Sequence, residues 1–205
     1  MIAFRSRLIF TGLLCGLLLT GCDKPKLSPL SSDATIVAFG DSLTYGIGAD
    51  QENSYPSALA DLTGMTVVNA GISGEITAQG VVRFQSVLDK YQPQLVILLE
   101  GGNDILRNQE LSQVKNNLAS MIKSAQSQDI QVILLGVPEK KLFSDSAALY
   151  GELANQYNLV FDGEILSELL RSAQYKSDPI HLNEAGYRLL AEKIYTLMLD
   201  HGALQ

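Results

Sequence analysis

The chain has 205 residues, 46% hydrophobic and 18% charged, which is enough for one well-buried domain and too few for two large ones. Its formal net charge is −7 and no segment gathers lysines and arginines, so it lacks the basic footprint of a nucleic-acid binder. The only two cysteines, Cys15 and Cys22, both fall near the N-terminus.

Residues 1–21 read as an export signal. Arg5 and Arg7 precede the apolar run LIFTGLLCGLLL, residues 8–19, which falls short of the roughly 20 residues that span a bilayer. The run ends in Leu19, Thr20, Gly21 and Cys22, which resemble the bacterial lipobox, where the cysteine is lipidated and becomes the first residue after cleavage. The expected mature chain has 184 residues and loses both arginines, leaving 13 basic against 22 acidic side chains, a net charge of −9. With Cys15 cleaved away and Cys22 lipidated, no thiolate nucleophile, Cys-ligated metal or disulfide is expected. Asp23 resembles the residue that keeps lipoproteins on the inner membrane of enteric bacteria, so the expected location is the periplasmic face of a membrane. Residues 22–33 then form the lipidated cysteine and a flexible tether, DKPKLSPLSSD, reaching about 35 Å at roughly 3.3 Å per residue.

From residue 34 onward short apolar runs alternate with amphipathic stretches. The candidate strands are TIVAF (35–39), TVVNA (66–70), LVILLE (95–100), QVILLG (131–136) and LVFD (159–162). Most are nearly continuous in Val, Ile and Leu, as strands covered on both faces should be. Helical patterns occupy 55–62, 78–91, 111–128, 146–157, 165–172 and 184–199. This alternation predicts an α/β domain over 34–205, with a five-stranded parallel sheet and helices on both sides. In such folds ligand groups gather at the carboxyl ends of the strands.

Four polar clusters fall at those ends or at a helix entry: FGDSLT after strand one, NAGISGE after strand two, GGND after strand three, and DPIHLN before the last helix. A serine hydroxyl needs a base to become a nucleophile, and the usual base is an imidazole held by a carboxylate. Of the two histidines, His201 lies four residues from the end. His181 stands just before a helix whose N-cap is Asn183, with Asp178 three residues upstream across a proline turn. That spacing lets the carboxylate fold back onto the ring, which makes His181 the candidate base and Ser42 the matching nucleophile. A developing oxyanion needs N–H donors, and Ser42 N–H, Gly74 N–H and the Asn103 side-chain amide are candidates. Asp41 and Asp104 read as structural carboxylates. Taken singly, each cluster has an ordinary reading: a turn, a turn glycine, a strand-end asparagine, a capped helix entry. Their joint placement at four element boundaries points to a hydrolase.

In this order the blocks FGDSLT, NAGISGE, GGND and DPIHLN resemble the GDSL or SGNH hydrolase family, and in particular its bacterial arylesterase, acyl-CoA thioesterase and lysophospholipase branch. The resemblance implies a flavodoxin-like three-layer α/β/α fold. It implies Ser42, Asp178 and His181 as catalytic residues and Ser42, Gly74 and Asn103 as the oxyanion hole. It also implies no metal or organic cofactor, and the expected partner of a chain read as a monomer is a small-molecule or lipid ester. Two departures stand out: Leu182 where relatives often carry proline, and VPEKKLFSDSAA after strand four, where relatives shape an acyl groove. The expected activity is hydrolysis of lipophilic carboxylic esters through an acyl-enzyme, with thioesters open to the same chemistry. The alternatives are a cell-envelope carbohydrate O-acetylesterase and a lipid-anchored binding module without turnover.

Overall fold

The structure is a computed structural model that describes residues 25–140 and 145–205. The expected export signal, Cys22 and residues 141–144 of the VPEKKLFSDSAA segment therefore lie outside the described residues. Five strands, β1 (Thr35–Gly40), β2 (Thr66–Gly71), β3 (Leu95–Leu99), β4 (Gln131–Leu135) and β5 (Val160–Asp162), pair in the order β2-β1-β3-β4-β5, all parallel. This is the flavodoxin-like order, in which the chain leaves β1 in one direction for β2 and returns past it to β3. Right-handed crossovers then send the helices of the two halves to opposite faces. Accordingly α2 (Tyr55–Thr63), α7 (Ile165–Arg171) and α8 (Glu184–Asp200) pack together, and so do α3 (Thr77–Tyr91), α5 (Leu111–Gln126) and α6 (Ala148–Tyr157).

The register puts Val37 level with Val68 on one side and Val96 on the other. The three central strands are buried along almost their whole length, which is why their sequences show no alternation. Tyr55, Tyr150 and Tyr187 are fully buried among the helices that cover them. Two short helices follow strands directly: α1 (Ser42–Tyr45) after β1 and α4 (Gly102–Leu106) after β3. At four and five residues they are too brief to leave a periodic signal in sequence.

The N-terminal stretch corrects an expectation. Residues 25–33 do not run free but lie along the amino ends of the strands. Leu27 N–H donates to His201 O (2.8 Å) and Leu30 N–H to Ala203 O (2.9 Å). Ser28 and Gln131 exchange two bonds, Ser28 N–H to Gln131 Oε1 (2.5 Å) and Gln131 Nε2 to Ser28 O (3.1 Å). Leu27 reaches the core at 9% exposure, and its burial supplies the apolar gain that fixes the strap.

Candidate active site

The crevice of a doubly wound sheet opens where neighbouring strands send their connections in opposite directions, here between the carboxyl ends of β1 and β3. Ser42 follows β1 and Asn103 follows β3, so topology alone brings both to this point. Asp41 caps α1 by accepting from Leu43 N–H at 3.1 Å, which turns the chain sharply and starts the helix at Ser42.

His181 comes from 139 residues further along and meets Ser42 across the rim, Nε2 to Oγ at 3.0 Å. Its other ring nitrogen, Nδ1, lies 2.7 Å from Asp178 Oδ2. The second oxygen of Asp178 accepts from the backbone N–H groups of Ile180 and His181, both at 2.8 Å, so one carboxylate both closes the turn and orients the ring. Burial pushes the Asp178 carboxyl upward, but the bonds from the His181 ring and the two backbone donors, with the charge of an imidazolium, outweigh it and hold the group below the ordinary range. Asn183 caps α8 as its sequence position suggests, accepting from Gly186 N–H at 3.0 Å.

The union of Ser42 and His181 rests on contacts that no motif announces. Tyr187, one turn into α8, donates its hydroxyl to Ile47 O at 2.7 Å and ties the histidine's helix to the serine's loop. Gly48 lies in that loop with φ +100°, and a Cβ there would come within 2.4 Å of Leu182 O, so only glycine lets the two segments approach.

Gly74 occupies a turn closed by Glu75 N–H on Ile72 O at 3.2 Å, with φ +81° at the position where such turns need a left-handed residue. The turn is tied to β1 through Ile72 N–H on Gly40 O (3.0 Å) and to α4 through Arg107 Nη2 on Gly74 O (3.1 Å). Asn103 donates Nδ2 to Asp41 Oδ2 at 3.3 Å, so its amide is oriented by the residue beside Ser42. Burial drives the Asp41 carboxyl up to about 6, against the pull of the Leu43, Gly102 and Asn103 backbone N–H groups and of His181.

Beneath these residues is an acidic layer that sequence reading missed. Glu75 is bound through both oxygens by Arg83, whose Nη2 also donates to Ala70 O (2.9 Å) and Gly40 O (3.3 Å), joining the ends of β2 and β1. Arg83 lies 3.9 Å over the Phe39 ring. Asp104 has the structural role expected of it, accepting from Thr77 N–H (2.8 Å) and Thr77 Oγ1 (2.7 Å) at the start of α3. Glu100 is fully buried with both carboxyl oxygens unpaired. Burial, then repulsion from Asp41, Glu75 and Asp104, pushes its carboxyl well above the ordinary range despite Arg83. The available sequence signal was a glutamate ending an otherwise apolar strand. No three His, Cys, Asp or Glu side chains among the described residues are grouped to hold a metal ion.

A groove of about 260 Å³ lies beside the site, with Ile105, Leu106, Val137, Leu170 and Ile180 as its apolar wall and Glu139, Lys140, Ser167 and Arg171 as a polar and charged side. Gly102 adjoins Asn103 and Ile180 adjoins His181, so the groove begins beside the candidate reacting groups. Lys140 on its border is held by Asn108 Oδ1 at 2.9 Å.

Residues 38–189 match the model of the GDSL-like Lipase/Acylhydrolase family. Esterase TesA of Pseudomonas aeruginosa is 35% identical over 127 residues, 59% of this chain and 63% of that protein, so the alignment spans less than two thirds of its length. The thioesterase 1/protease 1/lysophospholipase L1 of Escherichia coli is 26% identical over 166 residues, 77% of this chain and 80% of that one. The fold is similar to that of the psychrotrophic esterase EstA from Pseudoalteromonas, in a crystal structure of the enzyme inhibited by monoethylphosphonate. There the TM-score is 0.75 at 21% identity, over 82% of this chain and 98% of that chain.

Proposed function

Because the chain belongs to the GDSL-like lipase/acylhydrolase family, we propose that it is a serine esterase that cleaves lipophilic carboxylic esters, and thioesters by the same route, through an acyl-enzyme. The observation that carries this reading is the continuous relay from Ser42 Oγ through both ring nitrogens of His181 to Asp178, at 3.0 and 2.7 Å. His181 Nε2 takes the hydroxyl proton as Oγ bonds to the carbonyl carbon, and Asp178 stabilises the resulting imidazolium. The oxyanion is held by the N–H groups of Ser42 and Gly74 and by the Asn103 amide. Collapse breaks the bond to the leaving group, which receives the proton from His181, and a water repeats the sequence to release the acid.

The apolar wall of the groove favours an acyl chain longer than acetyl, which sets lysophospholipid-like and aryl esters ahead of acetylated carbohydrate. In the same reading Cys22 carries lipid and holds the enzyme on the periplasmic face of a membrane, the inner one where Asp23 acts as a retention signal. Palmitate labelling that vanishes in Cys22→Ala checks the anchor.

Purified residues 22–205 should hydrolyse p-nitrophenyl esters at rates rising from acetate to octanoate. Ser42→Ala and His181→Ala should each remove on the order of 10⁴-fold or more in kcat with folding intact, and the double variant should lose little beyond either. Activity confined to acetate would move the assignment to carbohydrate O-acetyl groups. Absence of turnover from folded protein would replace it with a binding module.

A further inference from the structure

The strap and the candidate site occupy opposite ends of the sheet. Ser42 and Asn103 follow the carboxyl ends of β1 and β3, whereas residues 25–31 cross the amino ends, held by Gln94 and Gln131 at the starts of β3 and β4 and by the tail after α8. Helix α8 gives the separation. His181 lies just before its first turn and His201 is its C-cap residue, and the helix itself has 17 residues, or about 25 Å at roughly 1.5 Å per residue. His201 also donates Nδ1–H to Pro25 O at 2.6 Å, so the chain is fastened to the body from Pro25 onward.

This fastening changes what an anchor at Cys22 permits. A free tether of residues 23–33 would reach about 35 Å, enough for the body to turn over and bring Ser42 to the surface that holds it. Only three Cα steps separate Cys22 from the fastened Pro25, a reach of about 11 Å, well short of the length of α8. We infer that the strap of residues 25–31 holds the body with its amino-end face toward the anchoring leaflet and Ser42 toward the aqueous phase, so that its ester substrates arrive from solution and not from that leaflet. This rests on the lipoprotein reading of Cys22, and it narrows the substrate class to esters that leave or never enter the anchoring bilayer.

The geometry can be measured without turnover. Cys22 is the only cysteine and there is no tryptophan in residues 22–205, which contain every described element. Coupling that thiol to a maleimide phospholipid in phosphatidylcholine vesicles reproduces the anchor whatever its fate in the cell. Single tryptophans are placed at Ile72→Trp, on the active-site rim at 47% exposure, and Leu199→Trp, near the strap at 41%. Each is read by energy transfer to a dansyl-headgroup lipid. Transfer from the Leu199→Trp variant should exceed that from Ile72→Trp several-fold. Inserting twelve Gly/Ser residues between Lys24 and Pro25 should erase the difference. Equal or reversed transfer at native length overturns the inference, as does a difference that persists unchanged in the lengthened chain. Neither result depends on esterase activity, and loss of Ser42-dependent turnover would sink the hydrolase reading while leaving this measurement intact. Palmitate labelling unaffected by Cys22→Ala would sink the anchor alone. Where lysophosphatidylcholine is turned over, coupling at native length should not accelerate its hydrolysis in the same vesicle, whereas the lengthened chain should gain at least tenfold from its raised effective concentration.

Discussion

Asp41→Asn separates what the candidate site contributes to function from what it costs in stability. Asp41 is 2% exposed and serves as acceptor for Leu43 N–H and Asn103 Nδ2, with the Gly102 and Asn103 backbone N–H groups also directed at it. Its carboxyl rises from 3.8 to about 6 on folding because burial opposes the charge. The folded state therefore holds the proton more tightly than the unfolded one. Stability from this group is complete below pH 3.8, declines as pH rises toward 6, and is flat above. At about 1.4 kcal/mol per unit, the loss is roughly 3 kcal/mol. Asparagine does not titrate, so the variant should gain about 3 kcal/mol on wild type between pH 3.5 and pH 7.5, whatever offset its altered hydrogen bonds impose at both. Urea unfolding of the pair at the two pH values reads this, because groups not coupled to Asp41 cancel in the difference, and making both proteins in a Glu100→Gln background removes the coupled neighbour. The variant's NH₂ also faces the Asn103 amide, donor to donor, so kcat should fall by about 10- to 100-fold as that amide loses its orientation. A stability gap that is the same at both pH values, or an unchanged kcat, would refute the reasoning.

Three further outcomes follow from the same geometry. Asn103→Ala should lower kcat by about 10²–10³-fold with a near-constant KM, since in the proposed mechanism the amide acts on charge that develops only in the transition state; steady-state kinetics on p-nitrophenyl butyrate checks it. Glu100→Gln removes a buried acid whose folded pKa lies above its unfolded one. It should gain on wild type by up to about 1.4 kcal/mol per pH unit above 4.5, read from melting midpoints across pH. Tyr187→Phe leaves Ile47 O without its donor and should cost about 1–3 kcal/mol, lowering kcat for every ester tested by a common factor because it loosens the approach of His181 to Ser42 and not the groove.

Sheet and candidate site were legible to different depths. Buried strands announce themselves through Val, Ile and Leu runs such as LVILL, because both faces of β3 are covered, and the polar clusters that follow such runs point Ser42, Gly74 and Asn103 to one rim, which His181 joins from the entry to α8. The means of gathering them was not legible. Tyr187 reads as one more core aromatic, and only the fold reveals that its hydroxyl reaches a carbonyl 140 positions away. Arg83 sits in mid-helix eight residues from Glu75, a spacing with no meaning until the turn before α3 folds over it. The strap escaped notice because its composition is that of a linker. Two leucines and four hydrogen bonds, two to the tail after α8 and two to Gln131 at the start of β4, are long-range facts that local composition does not encode.

The buried acids also set stability and activity against one another along the pH axis. Asp41 and Glu100 both lie under the site, and both carboxyls are pushed upward by burial, so the contribution of these two groups to stability falls as pH rises from the ordinary carboxylate range into neutrality. The proposed catalysis runs the other way. It needs Asp41 to orient Asn103, which the carboxyl does best when ionised and able to accept from several donors at once. The pH of greatest stability should therefore lie on the acid side of the pH of greatest kcat, and the two should move closer together in Glu100→Gln, which removes one acid without touching the proposed reacting groups. Thermal midpoints and kcat measured over the same buffers decide this. Coincident maxima in wild type would mean that the acidic layer is compensated by interactions beyond Arg83, and that the site is not held together at the expense of the fold.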